Sequence, residues 1–339
     1  MSETDFFSLE ITDTAVKIFD GEISSKEIVA KKISFLDNLP FSFFVQNTPD
    51  SSQKFAKIIK KLVSDLKLSK RKVNVIIPDS YTYSQILSMP YLNEKELISA
   101  IKYQADQFIP LPIDEINIDL AIIQKNEKDK NLLVLVVAIP KKLAQRIEET
   151  IELAGLVPVF LENQLSAFGR FINKFFSMLS PKPLSKIFFL NLNQNSSSLY
   201  LFDSNIFLIS QIHHFNLGYY LFFKEVQINT SLDEKRIHDF LQTFNLKSQA
   251  NINVETIISP ITKQFIFEIK KVVIPPASVF FIGDAIQFPA LTEILANNID
   301  ISISFSLFNP YSLFKKDPQI EHYKNKLPFF VTTIGGEIE

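Results

Sequence analysis

The residues best suited to metal or acid–base chemistry in this chain are its four histidines, His213, His214, His238 and His322. Adjacent histidines on a strand point to opposite faces, so His213 and His214 are not expected to chelate one metal ion. No cysteine is present. That excludes disulfides, thiolate metal sites and cysteine nucleophiles. No Ser-His-Asp spacing, His-Glu-x-x-His pair or Gly-Lys-Ser phosphate loop occurs. Only 7 glycines occur in the chain. Phosphate-binding loops need glycine because backbone must approach the ligand closely, so such loops cannot be richly built here. No metal site is expected.

The elements that would position any site come from a chain of 339 residues, 46% hydrophobic and 21% charged. Domains typically hold about 100–200 residues, so two domains with sizeable cores are expected. A net charge of -2 argues against nucleic acid as a partner. The basic run Lys67–Lys72 (KLSKRK) reads as a solvated turn. The N-terminus, MSETDFFSLEITDT, lacks the basic start and apolar run of a secretory signal. The longest apolar run, Leu132–Ile139, is far short of the roughly 20 residues that span a bilayer. These features predict a soluble, cytoplasmic protein. The 33 phenylalanines are assigned no function.

Periodicity predicts strands at 6–11 and 14–19 around a Thr12-Asp13 turn, a helix at 51–66, and a strand at 72–77 stopped by Pro78. Asn93 and Glu96 form a capping box opening a helix. Pro110 disfavours helical geometry at Ile109, which places that helix's end there. An alternating strand (116–122) and a continuously apolar one (132–139), expected to be buried on both faces, follow around a charged tip at 125–131. A helix at 141–154 ends at Gly155, a natural C′ residue. A strand at 157–161 and a helix at 164–178 lead to a linker at 181–185 (PKPLS). The opening pattern then recurs: strand 187–192, polar turn 193–197, strand 198–202. A strand at 206–215, helices at 232–243 and 261–272, a strand at 279–282 and a helix at 289–297 complete the reading. Two related α/β domains are expected, at 1–79 with 157–180 and at 185–330, with an inserted subdomain at 80–156.

The stretch Ala105-Asp106-Gln107-Phe108-Ile109-Pro110-Leu111-Pro112-Ile113-Asp114-Glu115, followed by Ile118-Asp119-Leu120, resembles the type IV pilus assembly protein PilM family. Leu87-Ser88-Met89-Pro90 and Glu152-Leu153-Ala154-Gly155-Leu156-Val157-Pro158 fit as well, and the order of elements agrees over nearly the whole chain. The resemblance implies an α/β, actin-like two-domain fold related to FtsA. Duplicated ribonuclease H-like domains carry an inserted α/β subdomain in the first. It also implies a partner: the short cytoplasmic N-terminal segment of the membrane protein PilN, held in a groove between the subdomain and the first domain. Gln104, Gln107, Ile109 and Pro110 are candidate groove residues. Pro110 and Pro112 read equally well as architectural.

Actin-like ATPases hold magnesium and phosphates in two turns, each usually Asp-x-Gly followed by small hydroxyl residues. In the first turn Glu10 stands for the Asp and Thr12 for the Gly, followed by Asp13, Thr14 and Lys17. In the second, Asn191 and Asn193 stand in those places, followed by Ser196 and Ser197. Later glycine pairs are reduced to Gly218-Tyr219 and Gly283-Asp284. Side chains at close-approach glycines block phosphate, and Asn191 brings no charge for a metal-bound water. Thr12, Thr14, Ser196 and Ser197 read better as turn hydroxyls bonding local backbone than as phosphate contacts. Asp233-Glu234-Lys235-Arg236 lies where family members contact the base; a solvated helix start explains it equally well. The resemblance therefore implies a pseudo-ATPase adaptor with no cofactor, ATP and magnesium being doubtful. It would link the PilN-like tail to other components of the pilus platform. The C-terminus, VTTIGGEIE, lacks the basic amphipathic membrane helix of FtsA-like proteins, so membrane association is expected through the partner. Alternatives are an ATP-binding conformational switch, an FtsA-like scaffold or a sugar-kinase-type enzyme.

Overall fold

The computed structural model describes residues 4–37, 39–105, 107–128, 130–178, 186–246, 253–299 and 302–338. In chain order it builds β1 (Phe6–Ile11), β2 (Val16–Ile23), β3 (Ile28–Leu36), α1 (Pro49–Asp65), β4 (Lys72–Ile77), β5 (Tyr83–Pro90) and α2 (Glu94–Ala105). Next come β6 (Ile116–Asn126), β7 (Asn131–Pro140), α3 (Lys141–Leu153), β8 (Val157–Asn163) and α4 (Gln164–Met178). The second half holds β9 (Lys186–Leu192), β10 (Ser197–Asp203), β11 (Leu208–Phe215), α5 (Tyr219–Asn229), α6 (Glu234–Thr243) and α7 (Val254–Lys270). It closes with β12 (Ala277–Gly283), α8 (Leu291–Asn297), β13 (Ile303–Leu307), α9 (Pro318–Tyr323) and α10 (Val331–Gly335).

Two five-stranded sheets share one design. Their orders are β3-β2-β1-β4-β8 and β11-β10-β9-β12-β13. In each, three antiparallel strands are followed by two parallel ones. Between β4 and α3 the chain adds a third, antiparallel sheet, β5-β7-β6. The repeated strand–turn–strand of the sequence is thus the start of each large sheet.

Local signals account for most boundaries. Thr48 caps α1 reciprocally with Ser51, and Pro49 opens the helix. Asn93 and Glu96 close the expected capping box of α2, at 3.0 and 3.1 Å. Gly155 takes φ +81°, ending α3 as expected.

Several expectations are corrected. Helix α2 ends at Ala105, four residues before Ile109. A turn bonded Gln107 N–H to Gln104 O follows, and Ile109 packs on Ile116 and Ala138. Pro110 stops a helix that tertiary packing has already ended. Strand β7 is not buried on both faces. Leu132, Val134, Val136 and Ala138 are buried, while Leu133, Leu135, Val137 and Ile139 are only half-buried. The basic run is partly tied down: Lys70 meets Asp20 at 2.6 Å, and Lys72 pairs with Asp5. Strands β3, β5 and β13 and helices α5, α9 and α10 were not expected. The linker at 181–185 lies outside the described residues. Helix α3, which the 80–156 span includes, packs Ile147 and Ile151 with α1 under the first large sheet.

The lobes are joined by apolar packing. Phe168 and Phe171 of α4, Phe189 of β9, Tyr200 of β10, Phe19 of β2 and Phe330 and Ile334 at the C-terminus share one cluster. Phe168 lies 5.0 Å from Phe189 and 5.4 Å from Tyr200, centroid to centroid. Such edge and offset contacts add to area burial. A part of the chain's phenylalanine therefore serves the junction between lobes.

Candidate functional site

Strand alternation decides which way the turn residues face. Phe7, Leu9 and Ile11 enter the core beneath α1 and α3, so Glu10 faces the opposite way. In β9, Phe188, Leu190 and Leu192 enter the outer core of the second lobe, so Asn191 faces inward. Glu10 and Asn191 thus occupy matching positions on the two faces that meet α4 and α10.

There they join one buried network. Lys17 Nζ donates to Glu10 Oε1 at 3.0 Å and to the Phe329 carbonyl at 2.7 Å. Thr332 and Thr333 hydroxyls donate to Glu10 Oε2 at 2.6 and 2.5 Å. Gln164, opening α4, donates to Glu10 Oε1 at 2.8 Å and accepts from Asn191 at 2.8 Å and Asn193 at 2.9 Å. Asn191 also reaches the Tyr200 hydroxyl at 3.3 Å, and Tyr200 donates to Asp79. Asp79 accepts the Leu165 N–H at 2.9 Å. All these side chains are buried. Burial raises the Asp79 carboxyl above its ordinary range, opposed by its bond from Tyr200. Burial, with Asp79 adding to it, holds the Tyr200 phenol well above its usual value.

The two turns spend their donors internally. In the first, Thr12 Oγ1 accepts from the Thr14 and Ala15 amides at 3.3 and 3.0 Å. Asp13 accepts from Ser42 at 2.8 Å and Tyr81 at 2.6 Å, and Tyr81 stacks on Phe44. In the second turn, Asn193 N–H bonds the Ser196 carbonyl at 2.9 Å, and Ser197 Oγ donates to Leu217 O at 2.6 Å. Helix α5 starts directly on this turn. Its Tyr219 and Tyr220 amides donate to Asn193 and Gln194 carbonyls, both at 2.9 Å. Gly218 is there for close approach: a Cβ would overlap Gln194 O and Ser196 N. Gly283 takes φ +73°, where a Cβ would lie 2.6 Å from Asn191 Oδ1. Asp284 beside it is buried, and burial pushes its carboxyl up to about 7, with Lys17 opposing the rise.

So the structure gathers Glu10, Thr12, Asp13, Lys17, Asn191, Asn193, Ser196, Ser197, Gly218, Gly283 and Asp284 into buried positions around the junction, with Thr14 half-buried. Sequence reasoning missed Asp79, Gln164, Tyr200, Thr332 and Thr333. One signal was present. Asp79 follows β4 as Asp284 follows β12, and those strands hold the same place in their sheets. The histidines diverge: His213 meets Glu268 at 2.8 Å, His214 meets Ser198 at 3.1 Å, and His238 meets Tyr219 at 3.0 Å. Among the described residues no three His, Cys, Asp or Glu groups converge on a metal position.

A second region is open. A groove of about 270 Å³ runs between the inserted sheet and the first lobe. Its floor is Leu135, Val137 and Ile139 of β7, Ala144 of α3 and Leu161 of β8. Residues Asn117 to Ala121 of β6 form one rim, and Glu148, Glu162 and Ser166 the other. The half-buried face of β7 is therefore the floor of the groove. Among the described residues strand β6 pairs only with β7, which leaves its other edge without a strand, and its Ile122 is 43% exposed. The candidate groove residues lie elsewhere. Gln104 lies in the last turn of α2, Gln107 and Pro110 are exposed beyond it, and Ile109 is buried against β6 and β7. Helix α2 covers the opposite face of this sheet, packing on Val134 and Val136. Pockets of about 300 and 390 Å³ border β11, and neither is lined by a residue of the interlobe network.

Comparison with known proteins places this geometry. A family model described as type IV pilus assembly protein PilM matches residues 8–201. The chain is similar to the solved structure of a PilM-PilN type IV pilus biogenesis complex, with a TM-score of 0.80 and 18% identity over 99% of this chain and 98% of that one. It is also similar to the ethanolamine utilization protein EutJ from Carboxydothermus hydrogenoformans, with a TM-score of 0.54 and 8% identity over 98% and 89% of the two chains. No curated protein sequence matches. Among the described residues no helix is long and apolar enough to cross a membrane. The family match covers more than half of the chain, and the two like-ordered sheets are those of an actin-like fold: this chain belongs to the type IV pilus assembly protein PilM family.

Proposed function

We propose that the chain is a non-enzymatic adaptor of the type IV pilus inner-membrane platform. It binds the cytoplasmic N-terminal tail of a PilN-like membrane protein in the groove beneath the inserted sheet. The observation that carries this reading is the contrast between an open apolar groove and a filled interlobe junction. An extended peptide suits such a groove, with side chains in the pocket and backbone available to a free strand edge. The complex whose fold this chain shares is one of PilM with PilN, which supports the choice of partner.

The residues at the junction do not fit a magnesium-triphosphate group. The amides of Thr14, Ala15, Tyr219 and Tyr220 are already bonded within the chain. The Glu10 carboxylate is shared among Lys17, Gln164, Thr332 and Thr333. Displacing these partners would leave buried groups unpaired, at about 1–3 kcal/mol each. No step of nucleotide chemistry is therefore assigned to the chain, and its attachment to the membrane runs through the partner.

The test is fluorescence anisotropy with a labelled peptide of the partner's tail, beside calorimetric titration of Mg-ATP. Saturable peptide binding with no heat from nucleotide is expected. A peptide that does not bind, or a low-micromolar affinity for Mg-ATP, overturns the reading.

A further inference from the structure

We propose that the groove selects a segment carrying Lys or Arg beside its apolar anchor, and that Asp119 and Glu148 read that charge. This rests on the peptide-binding reading above.

Three carboxylates ring the groove and no Lys or Arg lines it. They are not equivalent. Glu162 is answered: Arg170 meets it at 2.6 Å and the Asn74 amide donates to it at 2.5 Å. Asp119 and Glu148 have no cationic partner among the described residues. One Asp119 oxygen accepts the Leu120 amide at 2.8 Å, which fixes the carboxylate on the rim and leaves its charge uncompensated. Nearby cations are engaged elsewhere. Lys141 donates to the Asp114 carbonyl, and Arg146 reaches the Phe43 carbonyl and lies over the Phe43 ring. The apolar floor thus lies between two exposed, uncompensated negative charges on opposite walls.

The occupant follows from charge complementarity. Cytoplasmic segments next to a transmembrane helix carry an excess of Lys and Arg. A tail of that kind brings positive charge to both walls while its apolar residues enter the pocket. Exposed complementary charges act mainly on encounter rate and partner choice, and salt screens them.

The experiment uses the full chain and two labelled peptides: the native tail, and a twin with every Lys and Arg changed to Gln. At about 50 mM salt the native peptide binds about tenfold more tightly than the twin, and at about 500 mM most of that difference is gone. The double variant Asp119→Asn/Glu148→Gln, both changes at exposed positions, binds the two peptides alike. Twin and native binding equally well overturns the charge reading and leaves the adaptor intact. Equal weakening of both peptides by the double variant also overturns it. Failure of both peptides to bind removes the adaptor reading as well. A dimer through this groove that peptide does not displace assigns it to a second copy and overturns the proposal.

Discussion

The interlobe junction and the groove beneath the inserted sheet are lined by similar residue types and use them in opposite ways. Both place carboxylates beside apolar side chains. At the junction Glu10 is answered from within the chain by Lys17 and two threonines and Asp79 by Tyr200, while Asn191 Oδ1 and Glu337 Oε1 stay without a partner. At the groove two of three carboxylates stay open, and the apolar floor is half-exposed. The difference shows which region keeps groups free for a ligand. A buried polar group whose bonds are complete has nothing left to offer a ligand, and breaking those bonds costs more than most ligands return.

The largest effect is expected from breaking the fully buried ion pair of Glu10 and Lys17 at the junction. Lys17→Met leaves Glu10 buried without its cation and the Phe329 carbonyl without its donor. A loss of about 3–5 kcal/mol in unfolding free energy is expected from chemical denaturation. The double variant Glu10→Gln/Lys17→Met, which keeps an acceptor for the threonine hydroxyls and leaves no lone charge, should recover part of that loss. If Lys17→Met is neutral, the junction is looser than described and the comparison fails.

Next in size is a pH effect at the C-terminal edge of the same junction. Glu337 is 4% exposed, its Oε1 lacks a partner, and Thr4 donates to Oε2 at 2.5 Å. Burial pushes its carboxyl up to about 8 from 4.5. The folded state therefore holds a proton that the unfolded chain releases near 4.5. This contribution is fully present below about 4.5 and is lost as pH rises to about 8. Asp284 acts in the same direction, with its carboxyl at about 7. Comparing unfolding free energies from urea titration at pH 5 and 8.5 should show wild type falling, with roughly 3–4 kcal/mol of the fall due to Glu337. Glu337→Gln, which keeps a neutral amide in place, should flatten much of that fall.

How far the sequence speaks depends on whether an interaction is local. The repeated strand–turn–strand, the capping box at Asn93 and the stop at Gly155 are set by residues within a few positions of each other. So is Thr12, whose hydroxyl bonds its own turn as hydroxyls in such turns do. The interlobe network was not legible beyond its strand ends. Tyr200 meets Asp79 across 121 positions, and Thr332 meets Glu10 across 322. No periodicity encodes such a pairing. The groove seen in the structure was not legible for a related reason. Gln104, Gln107, Ile109 and Pro110 sit in the most recognisable motif, yet α2 packs on the far face of the sheet. The apolar run at Leu132–Ile139 carried the signal of this groove. It was read as doubly buried, whereas one of its faces is the groove floor.

The groove itself is probed by filling it. Val137 is half-buried in the floor, so Val137→Trp places a large side chain where the peptide's apolar residue would sit. Peptide affinity should fall at least about tenfold, or about 1.4 kcal/mol, with the unfolding midpoint little changed. Retained affinity would move the binding surface elsewhere and remove the open half of the comparison.

The smallest effect, and the sharpest, comes from emptying one turn. Thr12→Ala removes the acceptor for the Thr14 and Ala15 amides and should cost about 1–2 kcal/mol of stability. It also frees two donors of the kind that phosphate uses. Affinity for Mg-ATP should nevertheless stay undetectable by calorimetry. Asn193 and the α5 amides still close the second turn, Asn191 still brings no charge, and Glu10 remains committed to Lys17. Binding gained from this single change would mean that one side chain, rather than the whole network, keeps nucleotide out. The junction would then be a gated site, not a completed one.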